Sequence, residues 1–353
     1  MNNVNFIINS LLGGGTEKVC TLLASSFAAS GYNVNLYVLD DSGSSYHVHD
    51  QVKVIYLGKS STLKSIPVLF NLIKNEKLGK ILVFNHELCL VMLFIKYVLK
   101  KDIKIISRIN NTLSKTMVFK SLKYRLIVGF LMRKFYNKLD FFIFQSNGIK
   151  EDMLKNFAVK RNYAVIHNPI VNISAKENIR KDIDLLYVGR LVEQKNVIDI
   201  LTVIKRLSEK GVDCSLTIVG DGPKRSELEE FCTNNDLLHL VTFTGQQSNT
   251  ADFYQRARVT LLTSFNEGFP NVLVESISYG TPVISYDCPS GPKDIIEDGV
   301  NGFLVEYLNI NEFADKVEFS LKYPWDKKSI IKTSERFKLE SIAKQYEHVI
   351  EQV

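Results

Sequence analysis

Apolar residues fall in short runs and helical stripes that alternate along the chain. Val4-Asn5-Phe6-Ile7-Ile8 reads as a buried strand. It leads through Gly13-Gly14-Gly15 into Thr16-Glu17-Lys18-Val19, where apolar residues at Val19, Leu22, Leu23 and Phe27 follow a helical period. Further strands are predicted at 34–39, near 52–57, and at 80–84, 103–107 and 141–145, several of them separated by helical patterns. A polar stretch over 168–182 loses this periodicity and is the expected linker. The plan then restarts: strand 184–188, helix 197–207, strand 215–219, helix 227–234, and strands 241–244 and 259–263. Helix 271–279, strand 283–286 and a C-terminal helix over 334–352 complete it. Alternating strands and helices predict an α/β fold of doubly wound parallel sheets, with two Rossmann-like halves in tandem. The expected domains are 1–172 and 173–353, with the final helix, 334–353, able to pack back on the first. There is no short internal repeat and no low-complexity tract.

A length of 353 residues suits two domains, each with its own core, and 45% apolar with 23% charged residues argues against disorder. The uncharged apolar run Leu88 to Ile95 is too short to cross a bilayer, so no transmembrane helix is expected. Met1-Asn2-Asn3-Val4-Asn5 has no basic n-region, and no secretory signal is expected. Five cysteines without CxxC spacing read as reduced thiols of a cytoplasmic protein. Charge divides the halves sharply: residues 1–170 carry 23 Lys+Arg against 10 Asp+Glu, and the remainder 21 against 28. A basic half can meet nucleic acid, anionic lipid or an anionic substrate, and charge alone does not choose.

The most specific pattern is Glu267-Gly268-Phe269-Pro270-Asn271-Val272-Leu273-Val274-Glu275. Pro270 suits a helix start, so Glu267 falls in the preceding loop and Glu275 about a turn and a half inside the helix. The helix N-terminus between them offers N–H donors to an anion, and the carboxylates offer acceptors to hydroxyls. An ordinary helix with an N-terminal acid and an exposed Glu explains the pattern equally well. Gly189-Arg190-Leu191-Val192-Glu193-Gln194-Lys195-Asn196 puts a guanidinium at a strand's C-terminal end and an ammonium five residues later. In open α/β sheets ligands sit at that edge, although a solvated basic pair is an equal alternative. Cations near a helix N-terminus oppose its dipole, and an anion between them would remove the conflict.

Glu267 to Glu275 resembles the E-x7-E motif of retaining family 4 glycosyltransferases, which have the GT-B fold. Gly13-Gly14-Gly15-Thr16-Glu17 is similar to the family's N-terminal glycine loop, the segment from Gly189 to Asn196 to its Arg…Lys segment, and Gly220-Asp221-Gly222-Pro223 to its G-x-G-P turn. Gly280-Thr281-Pro282-Val283-Ile284 and the segment from Ile296 to Leu304 resemble C-terminal blocks, so residues 184–305 carry the blocks in family order. The resemblance implies two Rossmann-like domains facing a cleft. Arg190 and Lys195 would bind the donor diphosphate and stabilise the leaving nucleotide. Glu275 would accept from the ribose hydroxyls, and Glu267 would face the donor sugar. N–H groups of Gly268, Phe269 and Asn271, in the segment that Pro270 interrupts, would reach sugar and phosphate oxygens, and Gln246, after Thr244-Gly245, falls where the family holds the base. Backbone at Gly14 and Gly15 would touch the diphosphate from across the cleft. No cofactor and no metal is expected, because Arg190, Lys195 and the helix dipole neutralise the diphosphate. Asp182-Ile183-Asp184 formally resembles a metal-binding DxD but precedes a buried strand.

Many relatives carry a histidine after a strand of the first half; here that region reads Ile105-Ile106-Ser107-Arg108-Ile109-Asn110-Asn111. Relatives with Ser-Glu-Arg-Asn at this place fit Ser107 and Asn110, leaving Arg108, Asn110 and His86 as candidate acceptor-side residues. A lone histidine at a strand end is also a common structural residue. Cys288-Pro289-Ser290-Gly291-Pro292-Lys293-Asp294 resembles relatives using UDP-hexoses or UDP-N-acetylhexosamines, and a UDP-sugar donor is expected.

Residues 115–138 hold seven Lys/Arg and no acid, interleaved with Val118, Phe119, Leu122, Leu126, Val128, Phe130, Leu131 and Phe135. This composition suits an amphipathic helix on an anionic membrane surface; a core helix with a solvated basic face is the alternative, and the charge split between the halves favours the membrane. No nucleic-acid recognition motif accompanies the charge, so no nucleic-acid partner is expected. The expectation is a retaining, metal-independent glycosyltransferase moving a hexose or N-acetylhexosamine from a UDP-sugar to a lipid-linked or glycan acceptor. Its setting would be surface-polysaccharide synthesis on the inner face of the plasma membrane. The alternatives are an NAD-dependent oxidoreductase, for which Asp40-Asp41 stand where a ribose-binding acid belongs, and a nucleotide-sugar epimerase. The first lacks G-x-G-x-x-G, since Lys18 occupies the third glycine's place. The second leaves the basic segment unexplained.

Overall fold

The structure is a computed structural model that describes residues 3–160, 162–171, 179–212 and 214–353. The predicted linker over 168–182 therefore lies partly, and the predicted boundary at 172/173 wholly, outside the described residues. The chain forms two compact units, one of Met1–Pro169 with Phe337–Val353, the other Ile170–Arg336.

The first unit is built on seven strands: β1 Asn3–Ile8, β2 Asn33–Val38, β3 Lys53–Tyr56, β4 Lys80–Val83, β5 Lys104–Ile109, β6 Phe141–Phe144 and β7 Tyr163–Val165. Their order is β3-β2-β1-β4-β5-β6-β7, with every pairing parallel. Near-continuous apolar runs are what a parallel sheet covered on both faces requires. Alternate residues separate cleanly: Ile7, Ile81 and Ile105 enter one buried cluster, Phe6, Leu82 and Ile106 another. Asn85 caps the His86–Val98 helix by accepting from the N–H of Glu87 at 2.7 Å and of Leu88 at 3.3 Å.

The second unit holds β8 Ile183–Val188, β9 Leu216–Val219, β10 Val241–Gly245, β11 Ala257–Leu262, β12 Val283–Tyr286 and β13 Gly302–Val305. Their order is β10-β9-β8-β11-β12-β13, again parallel throughout. The edge strands β7 and β13 were not expected from the apolar pattern.

The C-terminal stretch is not the single helix expected over 334–352. It divides into helix Lys327–Ser334, a 3-10 turn Glu335–Phe337 and helix Leu339–Gln352. The break coincides with the return of the chain to the first unit, where Ile342, Tyr346, Val349 and Ile350 are buried against the core that Phe27 and Leu23 share. A chain changing units must leave its helical direction, which local periodicity does not reveal.

Candidate functional site

A doubly wound sheet opens a crevice at the C-terminal ends of the two strands where its order reverses. In the second unit those strands are β8 and β11, and in the first β1 and β4. Arg190 and Lys195 follow β8 and Glu267 follows β11, while His86, Arg108 and Asn110 line a cavity at the ends of β1 and β4.

In the second unit, β8 runs into Gly189 and Arg190, and β9 into Gly220-Asp221-Gly222. A Cβ on Gly220 would collide with the backbone of Gly189, and one on Gly222 with the backbone of Leu191. The G-x-G turn is therefore a backbone contact that fixes the Arg190 loop. Tyr187, buried beneath it and with its phenol pushed up by burial and the Glu267 charge, stays protonated and donates to the Arg190 carbonyl at 3.1 Å. Arg190 itself is exposed and has no ion pair among the described residues.

Lys195 sits at the end of a 3-10 turn, Glu193–Lys195, stitched to the loop after β11. Phe265 N–H donates to the Gln194 carbonyl at 2.8 Å, Gln194 Nε2 to the Asn266 carbonyl at 2.7 Å, and Thr263 Oγ1 to the Asn196 carbonyl at 2.8 Å. These bonds bring the Lys195 ammonium to Glu267 Oε1 at 2.6 Å, with the Glu267 side chain only 8% exposed. The anion beside Lys195 is thus Glu267, which removes the expected conflict with the helix dipole from within the chain. Gly268, Phe269 and Pro270 lead into the helix Asn271–Ser278, whose N-terminus has no side-chain cap. Ser290 Oγ donates to the Gly268 carbonyl at 3.0 Å, and Gly291, at φ 99°, packs so closely that a Cβ would strike Pro270. The Cys288–Gly291 segment, read from sequence only for its likeness to certain relatives, buttresses the Glu267 loop. Glu275 lies in the second turn of that helix and accepts from the buried Tyr254 hydroxyl at 3.2 Å. Gln246 is exposed just beyond β10, on the sheet's far edge. Asp182 and Asp184 pair with Arg256 and Arg258 at 2.8 and 2.9 Å, so their carboxylates serve ion pairs of the sheet.

In the first unit, β1 and β4 end at a polar cavity of about 200 Å³ walled by Asn9, Glu17, His86, Asn110 and Asn111, among others. Gly14, at φ 135°, starts the Gly15–Ala29 helix, and a Cβ there would collide with the Glu17 carboxylate. Its N–H donates to Tyr46 Oη at 2.9 Å and the Gly13 N–H to Ser45 Oγ at 3.2 Å, so side chains of the loop after β2 hold the glycine turn. Burial pushes the Glu17 carboxyl up. Sequence reading passed over Glu17, although an acid directly after a glycine turn is a legible signal.

Arg108 and Asn110, two of the expected acceptor-side residues, line the same cavity as His86. Arg108 is fully buried and donates to Tyr346 Oη at 2.8 Å, to Gln145 Oε1 at 3.2 Å, to Asn168 Oδ1 at 2.5 Å and to Asn110 Oδ1. Four of its five N–H groups are engaged, so it braces the cavity wall of which it forms part. Asn110 accepts from Arg108 and donates to the Phe84 carbonyl at 2.7 Å, which gives its amide the same bracing role.

His86 does face the cavity. Tyr124 donates to Glu87 Oε1 at 2.5 Å, and His86 Nε2 lies 3.1 Å from the same phenol oxygen. The phenol has one proton and gives it to the carboxylate, so Nε2 is the donor to Tyr124 and Nδ1 is left as an acceptor. Burial lowers the His86 pKa below 6.5; Glu87 opposes this and Lys120 adds to it. The folded chain thus disfavours the imidazolium. Stability contributed by neutral His86 is complete above 6.5 and is lost as pH falls from there through the folded value. Imidazole nitrogen NMR is expected to show His86 titrating below free histidine, and in His86→Gln the acid-side loss of stability should shrink. Titration at or above 6.5 would contradict this environment.

Comparison with known proteins follows the same division. The family model described as "Glycosyl transferases group 1" matches residues 170–338, and that described as "Glycosyltransferase Family 4" matches 13–171. The chain is 27% identical over 307 residues to the amylovoran biosynthesis glycosyltransferase AmsD of Erwinia amylovora, covering 85% of this chain and 84% of that protein. It is 27% identical over 338 residues to a Campylobacter jejuni protein, covering 91% of each. That protein is named N-acetylgalactosamine-N,N'-diacetylbacillosaminyl-diphospho-undecaprenol 4-alpha-N-acetylgalactosaminyltransferase. Among solved structures, the lipopolysaccharide outer core galactosyltransferase WaaB superposes with a TM-score of 0.80 over 99% of both chains at 23% identity.

Proposed function

The chain belongs to the family 4 glycosyltransferases and has their GT-B fold, and from that membership we propose that it is a retaining, metal-independent transferase. It moves a hexose or N-acetylhexosamine from a UDP-sugar to a lipid-linked or glycan acceptor in cell-surface polysaccharide synthesis. The observation that carries this reading is the Lys195–Glu267 pair at 2.6 Å beside Arg190, which has no ion pair among the described residues, and a helix start whose N-cap residue Pro270 makes no side-chain bond, all at one switch point. A donor diphosphate supplies the missing anion. Arg190 forks onto its oxygens, and Lys195, with three ammonium donors, holds Glu267 and the diphosphate together. Glu275, fixed by Tyr254, accepts from the ribose. As the bond from sugar to diphosphate lengthens, the sugar gains positive charge, which Glu267 stabilises, and the leaving diphosphate takes the proton of the incoming hydroxyl on the same face.

The acceptor belongs to the first unit, where His86 Nδ1 can accept from a hydroxyl in the polar cavity. The Leu122–Phe135 helix buries only Gly129 and Met132, and exposes Leu122, Leu126 and Phe130 on one stripe. None of the seven cations over 115–138 has an ion pair among the described residues. A helix so arranged suits the anionic inner face of the plasma membrane, each cation adding on the order of 1 kcal/mol. No helix among the described residues is long and apolar enough to cross a membrane. The oxidoreductase alternative is not favoured, and the Asp40 carboxylate is already engaged by Ser42 at 2.7 Å.

Screening nucleotide sugars for thermal stabilisation and slow hydrolysis tests the donor, and the anomeric configuration of the product tests retention. Arg190→Ala should fold normally, since Arg190 is exposed and unpaired, and should weaken UDP binding by roughly 10- to 150-fold, the value of one charge-assisted contact. Glu275→Gln should chiefly raise the donor KM, because ribose binding is common to ground and transition states. Unchanged UDP affinity in both variants would remove the diphosphate and ribose assignments.

A further inference from the structure

A second cavity of the first unit, about 840 Å³, lies between the start of helix Ile66–Asn75 and the helices His86–Val98 and Leu122–Phe135. Its walls are large apolar side chains, among them Leu63, Leu90, Phe94, Ile127, Leu131 and Phe135. Leu63 is 76% exposed and Phe94 59%. A concave apolar surface of this size in water marks a binding site. It is distinct from the stripe Leu122, Leu126 and Phe130, which lines no part of it.

We propose that this groove holds the isoprenoid chain of a polyisoprenyl-diphosphate-linked acceptor. Three features select that occupant over a protein helix or the bilayer itself. The first is that the groove shares a wall with the polar cavity: Glu87 and Tyr124 line the groove, His86 lines the cavity, and the three are joined by bonds of 2.5 and 3.1 Å. A ligand lying along both must be apolar at one end and hydroxyl-rich at the other. The second is charge. Lys123 lines the groove beside Tyr124, and Lys120 Nζ stands 5.6 Å from the Tyr124 ring, neither with an ion pair among the described residues. These cations stand where the apolar and polar spaces meet, the position of a diphosphate between chain and sugar. The third is shape, a walled trough suited to one flexible chain, while the convex Leu122–Leu126–Phe130 stripe is suited to the bilayer. The sugar's terminal hydroxyl then reaches His86. The inference deepens the transferase reading, but the binding it describes can be measured without turnover.

The test uses the full chain and three probes: labelled undecaprenyl diphosphate in non-ionic detergent, UDP, and vesicles of mixed phosphatidylcholine and phosphatidylglycerol. Ile127→Trp fills the groove and should weaken undecaprenyl diphosphate binding roughly tenfold or more, as expected when burial of about two methylenes is lost. Its UDP affinity, vesicle binding and melting temperature should match the parent chain. Leu126→Ser should weaken vesicle binding alone, and Lys120→Glu with Lys123→Glu should weaken the diphosphate probe more than undecaprenol. Should Ile127→Trp misfold, Leu90→Met and Phe94→Ser alter the same walls from another helix and carry the comparison. Unchanged probe affinity in folded groove variants overturns the proposal. So does a parallel loss of probe and vesicle binding, which would make the groove part of the bilayer surface. Probe binding without UDP binding would remove the donor assignment and leave the groove standing; UDP binding without probe binding would do the reverse.

Discussion

Glu267→Gln is expected to lower kcat by roughly a hundred- to a thousand-fold while UDP binds almost normally, the range seen when one preorganised electrostatic partner of a transition state is removed. UDP lacks the sugar that Glu267 is assigned to face, so ground-state nucleotide affinity should be nearly untouched. The ion pair adds a second consequence. Lys195→Ala removes the partner of a carboxylate that is 8% exposed, and should cost stability of roughly 1–3 kcal/mol as well as turnover. Glu267→Gln leaves Lys195, at 16% exposure, with a neutral acceptor of the same shape, so its stability loss should be the smaller. In a double-mutant cycle Lys195→Ala and Glu267→Gln should couple strongly in both melting temperature and kcat, because each alone disables the same contact. Additive effects on kcat would mean that the two act on separate parts of the donor. Normal kinetics in Glu267→Gln would return the E-x7-E segment to an ordinary helix start.

Why one part of this site was legible in the sequence and another was not follows from how each is built. Arg190, Lys195, Glu267 and Glu275 lie within two contiguous segments at strand ends, where a glycine or proline marks the turn and the spacing fixes the geometry. The alternation of strands and helices was legible for the same reason, since each strand-turn-helix unit is local. What spacing cannot convey is which loops meet. Lys195 reaches Glu267 because Gln194, Thr263 and Phe265 tie two loops together through bonds to backbone carbonyls, and an acceptor carbonyl leaves no mark on residue choice. Tyr254 gives no signal at all: its hydroxyl finds Glu275 from a different helix. The bonds of Arg108 give no signal either, since its partners Asn168 and Tyr346 are 60 and 238 residues away.

That distance makes Arg108 the most consequential structural residue of the first unit. A guanidinium at 0% exposure with only neutral acceptors is an unusual state, since buried charges are ordinarily paired. Its bonds reach the loop after β5, the end of β6, the segment leaving the unit at Asn168 and the helix Leu339–Gln352 that returns to it. Arg108→Met keeps most of the volume but leaves Gln145 Oε1, Asn168 Oδ1 and Tyr346 Oη without their buried donor, and Asn110 Oδ1 without its own beside the polar cavity. Against this stands the relief of no longer burying a charge, so a net loss on the order of 2–4 kcal/mol is expected. Lysine offers one donor point in place of a planar fork, so Arg108→Lys should recover only part of it. Tyr346→Phe, which deletes a single partner, should cost roughly 1 kcal/mol. Hydrogen exchange distinguishes a network from a local defect. In Arg108→Met, amides of the Leu339–Gln352 helix should lose protection together with those after β5, although the two lie far apart in sequence. Protection lost only beside residue 108, or a melting temperature equal to the parent's, would show that the C-terminal helix is held by its apolar face, Ile342, Val349 and Ile350, without help from the buried cation.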